Sequence, residues 1–181
     1  NNLKKICFNT NSSHINSEIN LVTKAFNIIS NEYSQVTGLD VYLNKVIPIG
    51  SGLGGGSSNA AITLLSINKL FNLNLPGNIL KKLAMQIGSD VPFFIEGGSS
   101  FVQGRGEIIQ KIPHKKRHFI IIFSDLMIST KEIFEELDSD SFMPKNSFSD
   151  LINSKSNSLE ELVLSKYPEL MATKYWLSTF G

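Results

Sequence analysis

Apolar positions recur at helical spacing in three stretches of the chain. Leu21, Val22, Ala25, Phe26, Ile29 and Tyr33 make the first, with Ser17 as its candidate N-cap. Ala60, Ala61, Leu64, Leu65 and Ile67 make the second, which predicts a helix from Ala60 to Leu70. Leu80, Leu83, Ala84 and Ile87 make the third, over Pro76 to Ile87, with Gly88 as its stop. A β-rich run, Val41 to Ile47, precedes the second helix and would end at Lys45. Gly97 to Glu107 reads as a hairpin followed by a glycine turn, and His118 to Phe123 as a strand. Ser129-Thr130-Lys131-Glu132 reads as a capping box opening a helix with Ile133, Phe134 and Leu137. Ser158 to Tyr167 and Glu169 to Leu177 read as two helices broken at Pro168. Asn9 to Asn16 and Phe142 to Ser149 read as polar loops.

Between the strand at 41–47 and the helix at 60–70 lies Pro48-Ile49-Gly50-Ser51-Gly52-Leu53-Gly54-Gly55-Gly56-Ser57-Ser58-Asn59. Glycine lets backbone approach a ligand closely, and successive N–H groups in such a loop form an anion-binding concavity. The following helix adds unpaired N–H groups and the positive end of its dipole. Gly56 is followed by serine rather than Lys-Ser/Thr, so the Walker A pattern is absent. Gly50, Gly52 and Gly55 satisfy G-x-G-x-x-G, but no Asp or Glu lies between Asp40 and Asp90 to hold a ribose. The bland alternative is a β–α turn without a ligand.

Downstream, Gly88-Ser89-Asp90-Val91-Pro92-Phe93-Phe94 sets a carboxylate between a helix-ending glycine and bulky apolar residues. A partly buried aspartate fixed by Pro92 suits a general base; the alternative is a turn aspartate bonding its own backbone.

Pro-x-Gly-x-Gly-Leu-Gly-Gly-Gly-Ser-Ser-x-Ala-Ala closely resembles the phosphate-binding motif of the GHMP family of small-molecule kinases. The Gly-Ser-Asp-Val-Pro-Phe-Phe segment and Gly104-Arg105-Gly106-Glu107 are also similar to family motifs, in the family's order. The resemblance implies an α+β fold in two lobes, a nucleotide lobe over 1–111 and a substrate lobe over 112–181, with the site in the cleft between them. It implies that Pro48, Gly50, Ser51, Gly52, Leu53, Gly54, Gly55, Gly56, Ser57 and Ser58 hold ATP. Asn20, in a segment similar to the family's Asn-Leu-Val-x-(Lys/Arg)-Ala, would lie near adenine; a helix-start role is the alternative. Lys45 would reach nucleotide or phosphate, with a solvated strand residue as its alternative. Asp90 would take the proton of the acceptor hydroxyl. Thr130 and Phe134 would line the pocket for a cytosine, with a cap and a core aromatic as their alternatives. Mg²⁺ is expected with ATP; its protein ligands are not identified, and Ser57 or Ser58 is a candidate.

The triple glycine and the Asp-Val-Pro-Phe-Phe run favour, within the family, phosphorylation of a hydroxyl of 4-diphosphocytidyl-2-C-methyl-D-erythritol in the non-mevalonate route to isoprenoids. Homoserine- or mevalonate-type kinases are the enzyme alternatives. A non-catalytic nucleotide- or RNA-binding module is the alternative from another class. The family's opening lysine segment, its aromatic–histidine pair and its third glycine motif find no match here, so a fragment is expected.

Composition adds limits. The 181 residues carry a net charge of +1, with 41% hydrophobic and 18% charged residues, enough for an ordinary core and no general attraction to nucleic acid or membrane. The single Cys7 excludes an internal disulfide, suits a reducing compartment and reads as a small hydrophobe. The expectation is a cytoplasmic enzyme with a small-molecule substrate, no nucleic-acid or membrane partner, and a homodimer left open.

Overall fold

The computed structural model describes residues 4–124, 126, 128–137, 157 and 159–180, with residues 130 and 131 as backbone only. The expected polar loop Phe142–Ser149 lies outside the described residues. The chain is an α+β protein that divides into two units, 1–123 and 124–181.

In the first unit, β1 (Lys5–Thr10) is followed by α1 (Leu21–Glu32) and β2 (Gly38–Leu43). The strands pair in parallel, Lys5 opposite Gly38 and Thr10 opposite Leu43, with α1 as the crossover. The hydrophobic pattern gives no sign of β1. Its Phe8 is buried while Lys5, Cys7 and Asn9 are exposed, so Cys7 lies on the open face of the strand. Then come α2 (Gly55–Leu70), α3 (Gly77–Ile87), α4 (Val91–Glu96) and an antiparallel hairpin of β3 (Ser100–Gln103) and β4 (Ile108–Lys111). The glycine turn 104–107 therefore closes the hairpin rather than following it.

The core lies among the helices. Ala25, Phe26 and Ile29 of α1 meet Ala60, Ala61, Leu64 and Ile67 of α2, and Leu80, Leu83, Ala84 and Ile87 of α3 close the cluster. The alanine pair on α2 removes side-chain bulk where α1 and α2 pack together. Val91 and Pro92 bury the first turn of α4 against this core, which fixes where α4 begins.

Two helix starts differ from the periodicity. Asn20, not Ser17, caps α1: its Oδ1 accepts from the Val22 and Thr23 N–H groups, and Thr23 Oγ1 accepts from the Asn20 N–H. Helix α2 begins at Gly55 rather than Ala60, so the last glycines of the loop are already helical.

The apolar run His118–Phe123 forms no strand, and Phe119 and Ile120 are 78% and 91% exposed. A strand needs a neighbour to take its backbone groups, and no strand pairs with this run among the described residues.

The second unit contains α5 (Thr130–Glu136), α6 (Glu160–Lys166) and α7 (Glu169–Ser178). Ser129 caps α5 by accepting from the Glu132 N–H, and Pro168 starts α7, as the sequence suggested. Lys166 pairs with Glu136 and Lys174 with Glu160, linking the three helices. Among the described residues no helix is long and apolar enough to cross a membrane.

Candidate active site

The strand before the glycine loop stops at Leu43, two residues short of Lys45. The ladder is replaced there by a side chain. Asn11 Oδ1 accepts from the Lys45 N–H at 2.7 Å, and Asn11 Nδ2 donates to the Lys45 carbonyl at 3.3 Å. Lys45 thus sits half-buried in the loop, not at a strand end, and its ammonium donates to the Ile47 carbonyl.

Gly50, Gly52 and Gly54 all adopt positive φ, at 73°, 70° and 65°. Left-handed residues at alternate positions are the backbone from which anion-binding concavities are made. Gly54 is the N-cap of α2 and offers no side chain to its N–H groups, and the first turn carries no acid. Ser58 N–H bonds the Gly54 carbonyl, so the N–H groups of Gly55, Gly56 and Ser57 are left without helical partners. The dipole end and these donors favour an anion.

The three consecutive glycines make room for three different neighbours. A Cβ on Gly54 would lie 2.7 Å from Phe94 Cζ of α4. One on Gly55 would lie 2.9 Å from Lys45 Nζ, and one on Gly56 would lie 3.3 Å from Leu21 Cδ1. The loop is thereby drawn against α4, against its own lysine and against the start of α1. Asn20 precedes Leu21 at that start. Its amide is committed to capping, with Nδ2 donating to the Asn16 carbonyl at 2.8 Å. A groove of about 520 Å³ runs along α1 beside Asn20, Lys24 and Ile28.

Gly52 differs: nothing lies within 4 Å of its added Cβ. It faces a cavity of about 430 Å³ lined by Gly52, Leu53 and Gly54 of the loop, Asp90, Phe93 and Phe94 around α4, and Ser100 and Val102 of β3. The loop and Asp90, far apart in sequence, therefore share one cavity. Phe93 and Phe94 enter the sequence argument only as bulky neighbours of Asp90, and Ser100 and Val102 only as hairpin residues. The signal for the last two was available in the alternation of a strand, which sends residues 100 and 102 to one face.

Asp90 is the N-cap of α4, yet its carboxylate makes no capping bond. An N-cap aspartate bonds the N–H of the second or third helical residue. The second residue here is Pro92, which has no N–H, and Asp90 itself has helical φ and ψ of −86° and −16°. The carboxylate is left uncommitted. It is also exposed rather than partly buried, because Val91 and Pro92 take the inward positions. The turn-aspartate alternative does not describe it.

Pro48, Gly50, Ser51, Ser57 and Ser58 lie along the loop and its helix without lining this cavity. Phe134 is 53% exposed, so it is not a core aromatic; Ile133 beside it takes the interior position. The side chain of Thr130 lies outside the described residues. Among the described residues no group of three or more His, Cys, Asp or Glu is placed to hold a metal ion.

Comparison with known proteins fits this geometry. Residues 20–98 match the GHMP kinases N terminal domain, a span that runs from Asn20 through the loop and Asp90 to α4. A 4-diphosphocytidyl-2-C-methyl-D-erythritol kinase of Pasteurella multocida is 36% identical over 167 residues, 92% of this chain and 57% of that protein. One from Syntrophomonas wolfei is 39% identical over 186 residues, 95% of this chain and 65% of that protein. A crystal structure of 4-(cytidine 5'-diphospho)-2C-methyl-D-erythritol kinase superposes with a TM-score of 0.66 at 27% identity, covering 93% of this chain and 64% of that one. The chain thus spans about three fifths of the length of these relatives. By this match, and by the loop and aspartate it encloses, residues 20–98 are similar to the N-terminal domain of the GHMP kinases, and the chain as a whole is similar to the kinases named above.

Proposed function

We propose that the chain carries the phosphate loop and catalytic base of an ATP-dependent kinase. Its acceptor is a hydroxyl of 4-diphosphocytidyl-2-C-methyl-D-erythritol, in cytoplasmic synthesis of isoprenoid precursors. The observation that carries this reading is the single cavity shared by Gly52–Gly54 and Asp90. The names of the relatives point to the same acceptor.

The residues present suit ATP. The unpaired N–H groups at the start of α2 and the open approach over Gly52 can hold its phosphates, and Lys45 stands beside Gly55 as a flexible cation. When bound, ATP supplies the phosphoryl group. Asp90, uncommitted to its own helix, accepts the proton of the acceptor hydroxyl or orients it. Phosphoryl transfer is largely positioning and charge stabilisation, so this division of labour is sufficient. With no acidic cluster among the described residues, Mg²⁺ would be held chiefly by the phosphates, with Ser57 or Ser58 as a hydroxyl ligand. Phe134, half exposed, is free to stack on the cytosine.

The test is an acceptor panel with ATP and Mg²⁺, on the protein at its full natural length. The diphosphocytidyl alcohol should be phosphorylated with kcat/KM far above those for mevalonate and homoserine. Preference for either of those, or no transfer to any acceptor, overturns the reading.

A further inference from the structure

Resting on the role proposed for Asp90, the geometry points to the hairpin turn Gly104–Glu107 as a positioning device for that carboxylate, acting through Gly106. An aspartate that makes no hydrogen bond of its own can be aimed only through its backbone. That backbone is held on two sides. Lys24 Nζ of α1 donates to the Ile87 carbonyl at 2.8 Å, where α3 ends and the Asp90 segment begins. On the other side, Gly106 is buried against Ser89, the residue immediately before Asp90.

The contact at Gly106 leaves no tolerance. An added Cβ would lie 1.9 Å from the Ser89 carbonyl oxygen and 2.8 Å from its carbonyl carbon. These are backbone atoms, so no rotamer change can relieve the clash. Gly106 also has φ 113°, which side chains rarely adopt. The neighbouring Gly104 shares a positive φ, 68°, but its Cβ would meet only the Glu107 carboxylate tip at 2.3 Å, which can swing aside. The turn is kept in shape by Glu107, which accepts from the Arg105 N–H at 2.6 Å, and by Gly106 N–H, which donates to the Gln103 carbonyl at 3.2 Å. The two glycines therefore differ in one respect that matters: only Gly106 touches the base-bearing segment. β3, which runs into the same turn, places Ser100 and Val102 on the cavity wall, so one hairpin sets both the wall and the aspartate.

The experiment compares Gly106→Ala with Gly104→Ala, each alone and combined with Asp90→Asn, in the protein at its full natural length. A displacement on the order of 1 Å at a reacting group costs roughly 10²-fold in rate. Gly106→Ala should lower kcat by about that factor, leave KM for ATP within about twofold, and move the Asp90 amide resonance. Gly104→Ala should leave kcat, KM for ATP and that resonance close to their wild-type values. In the Asp90→Asn background Gly106→Ala should cost nothing further, because the group it misplaces is already gone. A merely structural turn would lower kcat equally in both backgrounds, and that result overturns the proposal. So does an unchanged kcat in Gly106→Ala, or a Gly104→Ala of equal effect. Should Gly106→Ala fail to fold, Glu107→Gln keeps the comparison, since it loosens the turn through the Arg105 N–H bond without pressing on Ser89: it should lower kcat by less than tenfold with Asp90 present and cost nothing further in the Asp90→Asn background, and an equal loss in both overturns the proposal. Asp90→Asn alone reports on the underlying role, since full activity there rejects the base itself, whatever Gly106 does.

Discussion

Two helix starts face the same cavity and are built in opposite ways. At α2 the chain gives up its side chains: Gly54 caps with backbone alone, and the first turn has no acid. What remains is a field of N–H donors suited to phosphate. At α4 the chain keeps a side chain and denies it its usual partner: Asp90 occupies the N-cap position, Pro92 removes a donor, and the carboxylate stays free. One start is built to suit an anion and the other carries one. The α2 loop is held by side chains that fill the space its glycines vacate, from Phe94, Lys45 and Leu21. The Asp90 segment is held by contacts to its backbone, from Lys24 and Gly106. Binding tolerates a loop adjusted by soft side chains, whereas proton transfer needs a backbone that does not move.

The largest effect expected is at Asp90. Asp90→Asn should lower kcat by roughly 10²–10⁴-fold with little change in KM. Because the carboxylate is exposed and accepts no capping bond, Tm should hardly move. Measuring kcat and Tm on one preparation checks both. A fully active Asp90→Asn protein would break the contrast by leaving α4 without a chemical role.

Next comes Gly54. A side chain there must adopt φ 65° and displace the Phe94 ring. Left-handed strain of about 1–2 kcal/mol and overpacking of about 1–3 kcal/mol should together lower Tm and weaken ATP binding. Gly52→Ala carries the strain alone, since its Cβ meets nothing. It should cost less stability while still narrowing the approach to phosphate. Calorimetric ATP titration and thermal melts of the two variants separate packing from access. Equal losses of stability would mean that Phe94 does not hold the loop.

Phe134→Ala sharpens the comparison from the acceptor side. A stacked base is worth about 1–3 kcal/mol, so KM for the cytidyl substrate should rise while KM for ATP stays level. Since Phe134 is half exposed, Tm should change little. Parallel rises in both KM values would remove it from base recognition.

The helices of the first unit were legible because each buries one stripe on the same core, and periodicity reports that directly. The helix starts were less so. Ser17 and Asn20 are both cap residues by type, and only the reciprocal bond with Thr23 decides between them. Strand β1 buries just Phe8 and finds its partner across α1, so no local signal betrays it. The reverse error came at His118–Phe123, where apolar character exists without a pairing strand. At the candidate site, the glycines and Asp90 stand out in the sequence by residue type and spacing. Their sharing a cavity does not, nor does the hold of Phe94 and Gly106 on the two parts, because those contacts depend on how α4 and the hairpin pack.

The smallest effect expected concerns Glu96, at the far end of α4. Its carboxylate pairs with Lys81 of α3 at 2.5 Å and with Lys111 of β4 at 3.3 Å. The hydrogen bond from Lys81, followed by that from Lys111, holds its pKa below the ordinary glutamate value. A depressed carboxyl contributes stability that is fully present above its unfolded pKa of about 4.3 and is lost as pH falls through the lower folded value. Lys111 is 67% exposed, so solvent screens the cluster and its worth at neutral pH is about 1 kcal/mol or less. Glu96→Gln should therefore lower Tm slightly and by a constant amount at neutral pH, and the gap should close as pH falls below the ordinary glutamate range, through the depressed folded value. Salt should shrink it as well. The cluster ties the end of α4 to α3 and to the hairpin, whose turn presses on Ser89. If Glu96→Gln also lowers kcat at neutral pH, α4 and the hairpin move as one body and the Asp90 end feels it. If kcat is unchanged while Tm shifts, the aim of Asp90 is set locally, by the contacts at Ser89 and Ile87 alone.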